Sequence, residues 1–327
     1  MRIAGLLALA AGLALIAFLV FHSGLAPIAS TLSMLGFWGL AIVALAHLPI
    51  IGLLGISWWF VGRTVGLANW DRFVWARAVR DAAAEALPFS QLGGYVIGAR
   101  ALTLDGADGA SSVASTLLDL ILEFSAKLPY LLLGLLCLQW IKPSSPTLLA
   151  IGFTVIVIVS FAILGSAMRS RAEGLLRRSF DRFVTRWPRL QASRERAVAA
   201  FRMVRHSGPL RASFLLHLCC WFLGAAEAWL IFRLMHLSVP LRSAFVIDSL
   251  VGAIRAFAFL VPGAIGVQEG GYVLLCGLFG LPAEVALAFS FIRRARDILI
   301  AVPILLSWKY REAAALLAER KPRTLEN

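Results

Sequence analysis

Four ionisable residues stand within five positions of one another, Arg293, Arg294, Arg296 and Asp297, near the middle of an apolar run that reads as a helix from Pro282 to Trp308. Charge at such a place is costly unless it faces a partner or a wet cavity. Asp297 lies one turn from Arg293 and could neutralise it. That leaves guanidinium groups over, and their forked donors match a phosphate or carboxylate bidentately. The alternative is a purely structural cluster. Gln268 and Glu269 precede a Gly270-Gly271 pair; Glu269 reads either as the cap of a broken helix or as a site residue. Asp119, Glu123 and Lys127 fall at i, i+4 and i+8, which stacks them on one helix face. An internal ladder of ion pairs leaves one of these acids over, as a partner for Arg293 or Arg296 or for a proton. The candidate substrate-binding set is therefore Arg293, Arg294, Arg296, Asp297, Glu269, Gln268, Asp119 and Glu123.

Catalysis needs a nucleophile, a general base or a metal-binding acidic pair, and the chain has no HExxH, no GxSxG and no clustered aspartates. Its four cysteines (Cys137, Cys219, Cys220, Cys276) sit inside apolar runs without a CxxC or zinc spacing. No metal and no cofactor are expected. His217, beside Cys219 and Cys220, is too little for a metal site. His47 with Pro49 reads as a kink with a satisfied histidine rather than a proton relay, and Arg80 and Arg255 read as stabilising residues.

The elements that must hold these side chains are membrane helices. Apolar residues make up 60% of the 327, charged residues 15%, and the mean hydropathy is +0.84, which places the chain in the polytopic membrane class. The net charge of +13 must gather on loops, where it orients the protein and attracts anionic headgroups. Basic residues that flank apolar runs, with no nucleic-acid-binding module, argue against a nucleic-acid partner. Residues 3–21 come close to, and 35–61 exceed, the roughly 20 needed for a crossing; the loop between them, His22–Met34, lacks Lys, Arg, Asp and Glu. Arg63, Arg72, Arg77 and Arg80 follow the second span, which puts that loop, and the N-terminus, in the cytoplasm. An uncleaved first helix fits better than a signal peptide. Residues 168–211 hold twelve arginines against three acids, with apolar residues at helical spacing, and read as an interfacial amphipathic segment.

Two segments are too interrupted to be plain spans. Pro88 is followed by Gly93-Gly94-Tyr95-Val96, and Pro262 by Gly263, Gly266 and then Gly270-Gly271-Tyr272-Val273. Proline and glycine break the helix there, and broken backbone at membrane depth must be buried or line a cavity. From Gly94 to Asp119 is 25 residues and from Gly271 to Asp297 is 26. By loop charge the first hairpin enters from the cytoplasm and the second from outside. The predicted fold is an all-α polytopic membrane protein, a helical bundle with two inverted repeats. Each repeat is a broken re-entrant hairpin followed by a spanning helix, a plan that recurs in secondary transporters. In a single membrane domain the expected order is two spans (1–73), first repeat (74–140), span (141–167), Arg-rich segment (168–211), span (212–236), second repeat (243–308) and cytoplasmic tail (309–327).

The run Val261–Gly271, then Gly280-Leu281-Pro282, then Arg293-Arg294-Ala295-Arg296-Asp297 resembles the flippase-like membrane region of the lysylphosphatidylglycerol synthase family. Leu87–Gly94 and Asp248–Phe257 resemble, more narrowly, the hopanoid-biosynthesis-associated HpnL branch, which more often has Glu where this chain has Asp248. The resemblance implies a bacterial inner-membrane protein that moves a lipid between leaflets, with membrane lipids of anionic or polar head as partners and hopanoid-biosynthesis enzymes as further ones. The synthases add a soluble aminoacyl-transferase domain; this chain ends about twenty residues after its last span, so synthase activity is not expected. Three functions stay open on the residues: a transporter, a membrane-embedded headgroup transferase, and a scaffold.

Overall fold

The computed structural model describes residues 2–86, 90–160, 208–258 and 261–320. Within them the regular elements are all helices: α1 (Arg2–Ser23), α2 (Leu25–Arg63), α3 (Trp70–Ala86), α4 (Ser90–Leu104), α5 (Gly109–Ile141), α6 (Ser145–Ser160), α7 (Gly208–Leu234), α8 (Leu241–Phe257), α9 (Val267–Leu278) and α10 (Ala283–Arg320). A single 3₁₀ turn, Pro262–Ala264, lies between α8 and α9. Helices α2, α5 and α7 are long and apolar enough to cross a membrane. The chain is an all-α polytopic membrane protein. Pro88 and most of the Arg-rich segment 168–211 lie outside the described residues.

The uncharged stretch 22–34 is not a loop. Gly24, at φ 80, separates α1 from α2, and the chain is helical again from Leu25. Pro27 sits in the first turn, where a missing N–H costs nothing. Its carbonyl accepts the Ser30 and Thr31 hydroxyls at 2.9 and 2.8 Å. These side chains satisfy themselves locally, so the stretch needs no water. The real interruption comes at Gly36 (φ 64, ψ 178), inside α2.

The two interrupted segments share one plan. A 17-residue helix (α3 or α8) is followed by a helix of 15 or 12 residues (α4 or α9), a tight turn, and a long helix of 33 or 38 residues (α5 or α10). Contacts fix their relative direction. At one end of the bundle, Asp71, Arg72, Trp75 and Asp105 from the first hairpin meet Arg311 near the end of α10. At the other end, the Lys142 ammonium just after α5 reaches the Leu278 carbonyl at the base of the second hairpin. The turn Pro262–Ala264 packs on α3 and α4, and Arg255 pairs with Glu85 at 2.7 Å. Each hairpin thus opens toward its own end of the bundle, and the end of α3 at Glu85 meets the end of α8 at Arg255 inside it. The repeats run in opposite senses.

Two apolar clusters bracket that meeting point. One joins Trp58, Val61, Phe73, Val79, Leu102 and Trp308, from α2, α3, α4 and α10. The other joins Val43, Phe232, Ile247, Tyr272, Leu275 and Phe289, from α2, α7, α8, α9 and α10. In lipid the hydrophobic effect no longer drives helices together, so close approach and dense packing must do so. Gly62 lies under the Phe73 ring and Gly134 under Ser249; a Cβ there would come within 2.1 and 2.0 Å of those side chains. Outside, Phe37, Trp38, Phe153, Ile156 and Leu306 present apolar surface, which suits acyl chains.

Helix ends differ from the expected ones chiefly at the C-terminus. α10 continues to Arg320, so residues 309–320 extend the long helix, and Arg311 is held by Asp105.

Candidate functional site

Helix α3 places Arg77 and Arg80 one turn apart on the face toward α5. Arg80 Nη1 donates to Asp119 at 2.6 Å and its Nη2 to Glu123; Arg77 spans Asp81 at 2.8 Å and Glu123 at 3.1 Å. His217 of α7 closes the cluster on Asp119 at 2.9 Å. The expected internal ladder on α5 is therefore absent: both acids are committed to arginines of the hairpin, and no ion pair links Lys127 to Glu123 among the described residues. Asp119, with no exposed surface, lies behind Arg80 rather than on a binding surface.

The second repeat exchanges the signs. Here the hairpin supplies the acids and the long helix the arginines. Arg293 donates to Asp248 of α8 at 2.5 Å and to the Tyr272 hydroxyl of α9 at 2.7 Å. Arg296 pairs with Glu227 of α7 and, at 2.6 Å, with its neighbour Asp297. Glu227 in turn accepts from His47 of α2 at 2.7 Å. Two readings of the sequence are corrected. Asp297 pairs with Arg296, not with Arg293 a turn away, because Asp248 and Tyr272 already hold the Arg293 side chain. No arginine of the cluster is left without an acid, since α7 and the hairpin bring Glu227, Asp248 and Glu269 to meet them.

Arg294, Gln268 and Glu269 form a separate unit that holds the break itself. Glu269 accepts the Gly266 N–H at 2.8 Å, the Ser290 hydroxyl at 2.9 Å and Arg294 Nε at 2.6 Å. Gln268 donates to Ser290 at 2.8 Å, and Arg294 reaches the Gly263 carbonyl at 3.1 Å. This is a capped helix start: a buried carboxylate satisfies the Gly266 N–H, which the break leaves without an intrahelical partner. Gly263 and Gly266 carry the left-handed dihedrals, φ 57 and 79, that a side chain would resist. Gly93, Gly94, Gly270 and Gly271 do not lie in the breaks; they fall inside α4 and α9. At Gly94 the reason is packing, for a Cβ there would meet the Arg80 carbonyl oxygen at 2.7 Å, and α4 could not lie against α3.

Between the two charged halves is a cavity of about 500 Å³. Arg77, Arg80 and Glu123 line it from the first repeat, and Asp248, Arg293 and Arg296 from the second. Glu85 and Arg255 face it where the hairpin tips meet. Lys127 and Trp221 complete the wall, with the ammonium over the indole at 4.4 Å from the ring centre. Phe124, also on the wall, has 46% of its surface exposed. Of the predicted site residues, Arg293, Arg296, Asp297 and Glu123 meet at this cavity; Asp119 stands behind it, and Arg294, Gln268 and Glu269 stand apart on the break. Sequence reasoning missed Arg77, Trp221 and Asp248 as members, and Lys127 as an unpaired one. A signal existed, because any ionisable residue in an otherwise apolar helix is a site candidate.

Among the described residues no group of three or more His, Cys, Asp or Glu side chains could hold a metal ion. The arrangement can bind and orient a polar group within an apolar bundle. No curated protein and no solved structure matches the chain. Its relationship is carried by a family model, the lysylphosphatidylglycerol synthase TM region, which matches residues 5–304; the chain belongs to that family.

Proposed function

We propose that the protein is a non-enzymatic carrier that moves a polar-headed lipid between leaflets of a bacterial inner membrane. The observation that carries this reading is the cavity of about 500 Å³ where oppositely directed hairpins meet. It lies within the 300–1,000 Å³ of ordinary ligand sites, large enough for a headgroup but not for two acyl chains. Its rim at Phe124 lets the tails stay in the bilayer while the head enters. A soluble solute would need a polar path to both sides, whereas apolar clusters lie above and below this cavity.

Orientation follows from charge. Arg63, Arg72 and Arg311 lie at the end where the first hairpin opens, and the Arg-rich stretch 168–211 belongs to the same side by the charge rule. We assign that end, and both termini, to the cytoplasm. The residues similar to the hopanoid-associated branch extend the proposal to a hopanoid-derived lipid. Hopanoids are nearly uncharged, so such a cargo would have to carry an added polar head.

Reconstitution tests this directly. The purified protein in liposomes should speed transbilayer movement of a fluorescent polar-headed lipid above that of protein-free vesicles. Covalent conversion of the lipid would instead support a headgroup transferase. Neither movement nor conversion would leave a scaffold for lipid-synthesis enzymes.

A further inference from the structure

Between Leu25 and Gly62, helix α2 holds one ionisable residue, His47. Beside Pro49 it reads as a kink residue, but its partner stands 180 positions away: His47 Nδ1 lies 2.7 Å from Glu227 Oε2 on α7. An ionised carboxylate only accepts, so Nδ1 carries a hydrogen in either charge state, and Nε2 is the atom at which a proton can come and go. Among the described residues Nε2 has no hydrogen-bond partner, yet it is not buried. The side chain keeps 22% of its surface and lines the cavity.

The charges around His47 do not balance without it. Helix α10 brings Arg293, Arg296 and Asp297. Arg293 is matched by Asp248 of α8, so Glu227 and Asp297 share Arg296 alone. In the first half α3 and α5 show the same surplus, with Asp81, Asp119 and Glu123 on Arg77 and Arg80. There Lys127, one turn beyond Glu123 on α5, supplies the missing positive charge. Glu85 and Arg255 cancel. The thiol of Cys220 on α7 and the phenols of Tyr95 and Tyr272 add no charge to the wall, and α1 has no ionisable residue between positions 3 and 21. The second half is therefore one negative charge over while His47 is neutral, and balanced once it is charged. Imidazole is the side chain whose ordinary charge change falls between pH 5 and 8, and uncompensated charge at membrane depth is costly.

The first half carries a histidine in a similar chemical setting, His217 on Asp119 at 2.9 Å. It lacks access. His217 has no exposed surface and does not line the cavity, and a proton added at its buried Nδ1 would find no acceptor. The two histidines thus differ in the property that a proton site needs.

We infer that His47 Nε2 is a proton-binding site through which lipid movement is coupled to a pH gradient. With the proton bound, His47, Glu227, Arg296 and Asp297 are neutral as a set and can be closed away from water. Without it, their extra negative charge favours a cavity open to water. Helices α2 and α7 lie outside the two repeats and α10 belongs to the second, so the proton acts where frame and repeat join. The coupling rests on the carrier reading; the proton site does not.

Two measurements on the full-length protein test this. Potentiometric titration in neutral detergent from pH 8 to pH 5 reads the site without transport. The wild type should take up about one proton per chain more than His47→Gln or His47→Lys. Equal uptake by all three would mean that the imidazole keeps one charge state throughout, and would overturn the site. Liposomes containing phosphatidylglycerol with a fluorescent acyl chain read the coupling, their membrane potential held at zero by valinomycin and equal potassium. An imposed pH gradient should shift the labelled lipid toward one leaflet in the wild type and in His217→Gln. A protonophore should abolish the shift, and a sodium gradient should not produce it. His47→Lys keeps an ion pair with Glu227 and should be recovered as a single species, but both His47 variants should lose the shift. Whatever rate of lipid movement they retain should be the same at pH 6 and pH 8. Lipid movement by the wild type that ignores the pH gradient, or a shift that survives in both variants, would overturn the coupling. A proton bound at His47 in a protein that moves no lipid would refute the carrier reading and leave the site standing.

Discussion

Glu269 separates a residue that builds the break from one that touches cargo. Its carboxylate has no exposed surface and accepts from Gly266 N–H, the Ser290 hydroxyl and two nitrogens of Arg294. Glu269→Ala would strand all of them, including a guanidinium. Removing one partner of a buried ion pair costs about 3–5 kcal/mol. The Arg294 side chain keeps 21% of its surface and can recover some solvation, so the lower figure applies, about 3 kcal/mol. At about 2–4 °C per kcal/mol for a chain of this class, the melting temperature should fall by roughly 6–12 °C. Glu269→Gln keeps an acceptor for the Gly266 N–H but gives up the charge, and its loss should be about half. Tryptophan fluorescence during heating reads the stability in detergent, and lipid transport well below the melting temperature reads the function. Transport per folded molecule should persist in Glu269→Gln. A variant that melts like the wild type yet transports nothing would refute the capping argument and return Glu269 to the cargo site.

Two further outcomes follow from the same geometry. Single cysteines placed at Trp75 and at Gly280, at opposite ends of the bundle by the contacts above, should label with an impermeant maleimide from opposite sides of the membrane; labelling from one side would contradict the inverted repeats. Gly134→Val should cost about 1–3 kcal/mol by overpacking, since even a Cβ would meet Ser249 Oγ at 2.0 Å; an unchanged melting temperature would mean that α5 and α8 do not approach as described.

Much of the frame could be read from the residues, because the signals were local. Apolar length marked α2, α5 and α7, and the Pro–Gly-Gly-Tyr-Val correspondence marked the two hairpins. The glycine pairs were misplaced for an instructive reason. Glycine serves both a strained turn and a close helix crossing, and composition alone does not distinguish Gly266, at φ 79, from Gly94, inside α4 against α3. The charge pairing was the least legible part. Arg296 finds Glu227 across 69 positions and Tyr130 finds Asp248 across 118; no spacing rule reaches that far. Sequence neighbours gave an arginine surplus where the folded protein has matched pairs, and on the cavity wall, among the described residues, Lys127 is the cation with no ion pair.

The exchange of sign between the repeats bears on how a carrier of this build could work. In the first half, arginines on the hairpin hold acids on the long helix; in the second, acids on the hairpin hold arginines on the long helix. Where the tips approach, the signs are the reverse of this, Glu85 on the first hairpin and Arg255 on the second, and that pair joins the two halves. That pair is also partly open, its side chains 26% and 24% exposed, whereas Asp119 and Glu227 are almost wholly buried. Pairs near water are worth little and re-form readily, while deep pairs are costly to break. If the halves rock against each other, the partly open tip contact should exchange and the fully buried pairs should hold each half rigid. Replacing Glu85 and Arg255 together by Gln should therefore alter the transport rate with little effect on melting. A large loss of stability in that double variant, comparable with that of Glu269→Ala, would place the hinge elsewhere.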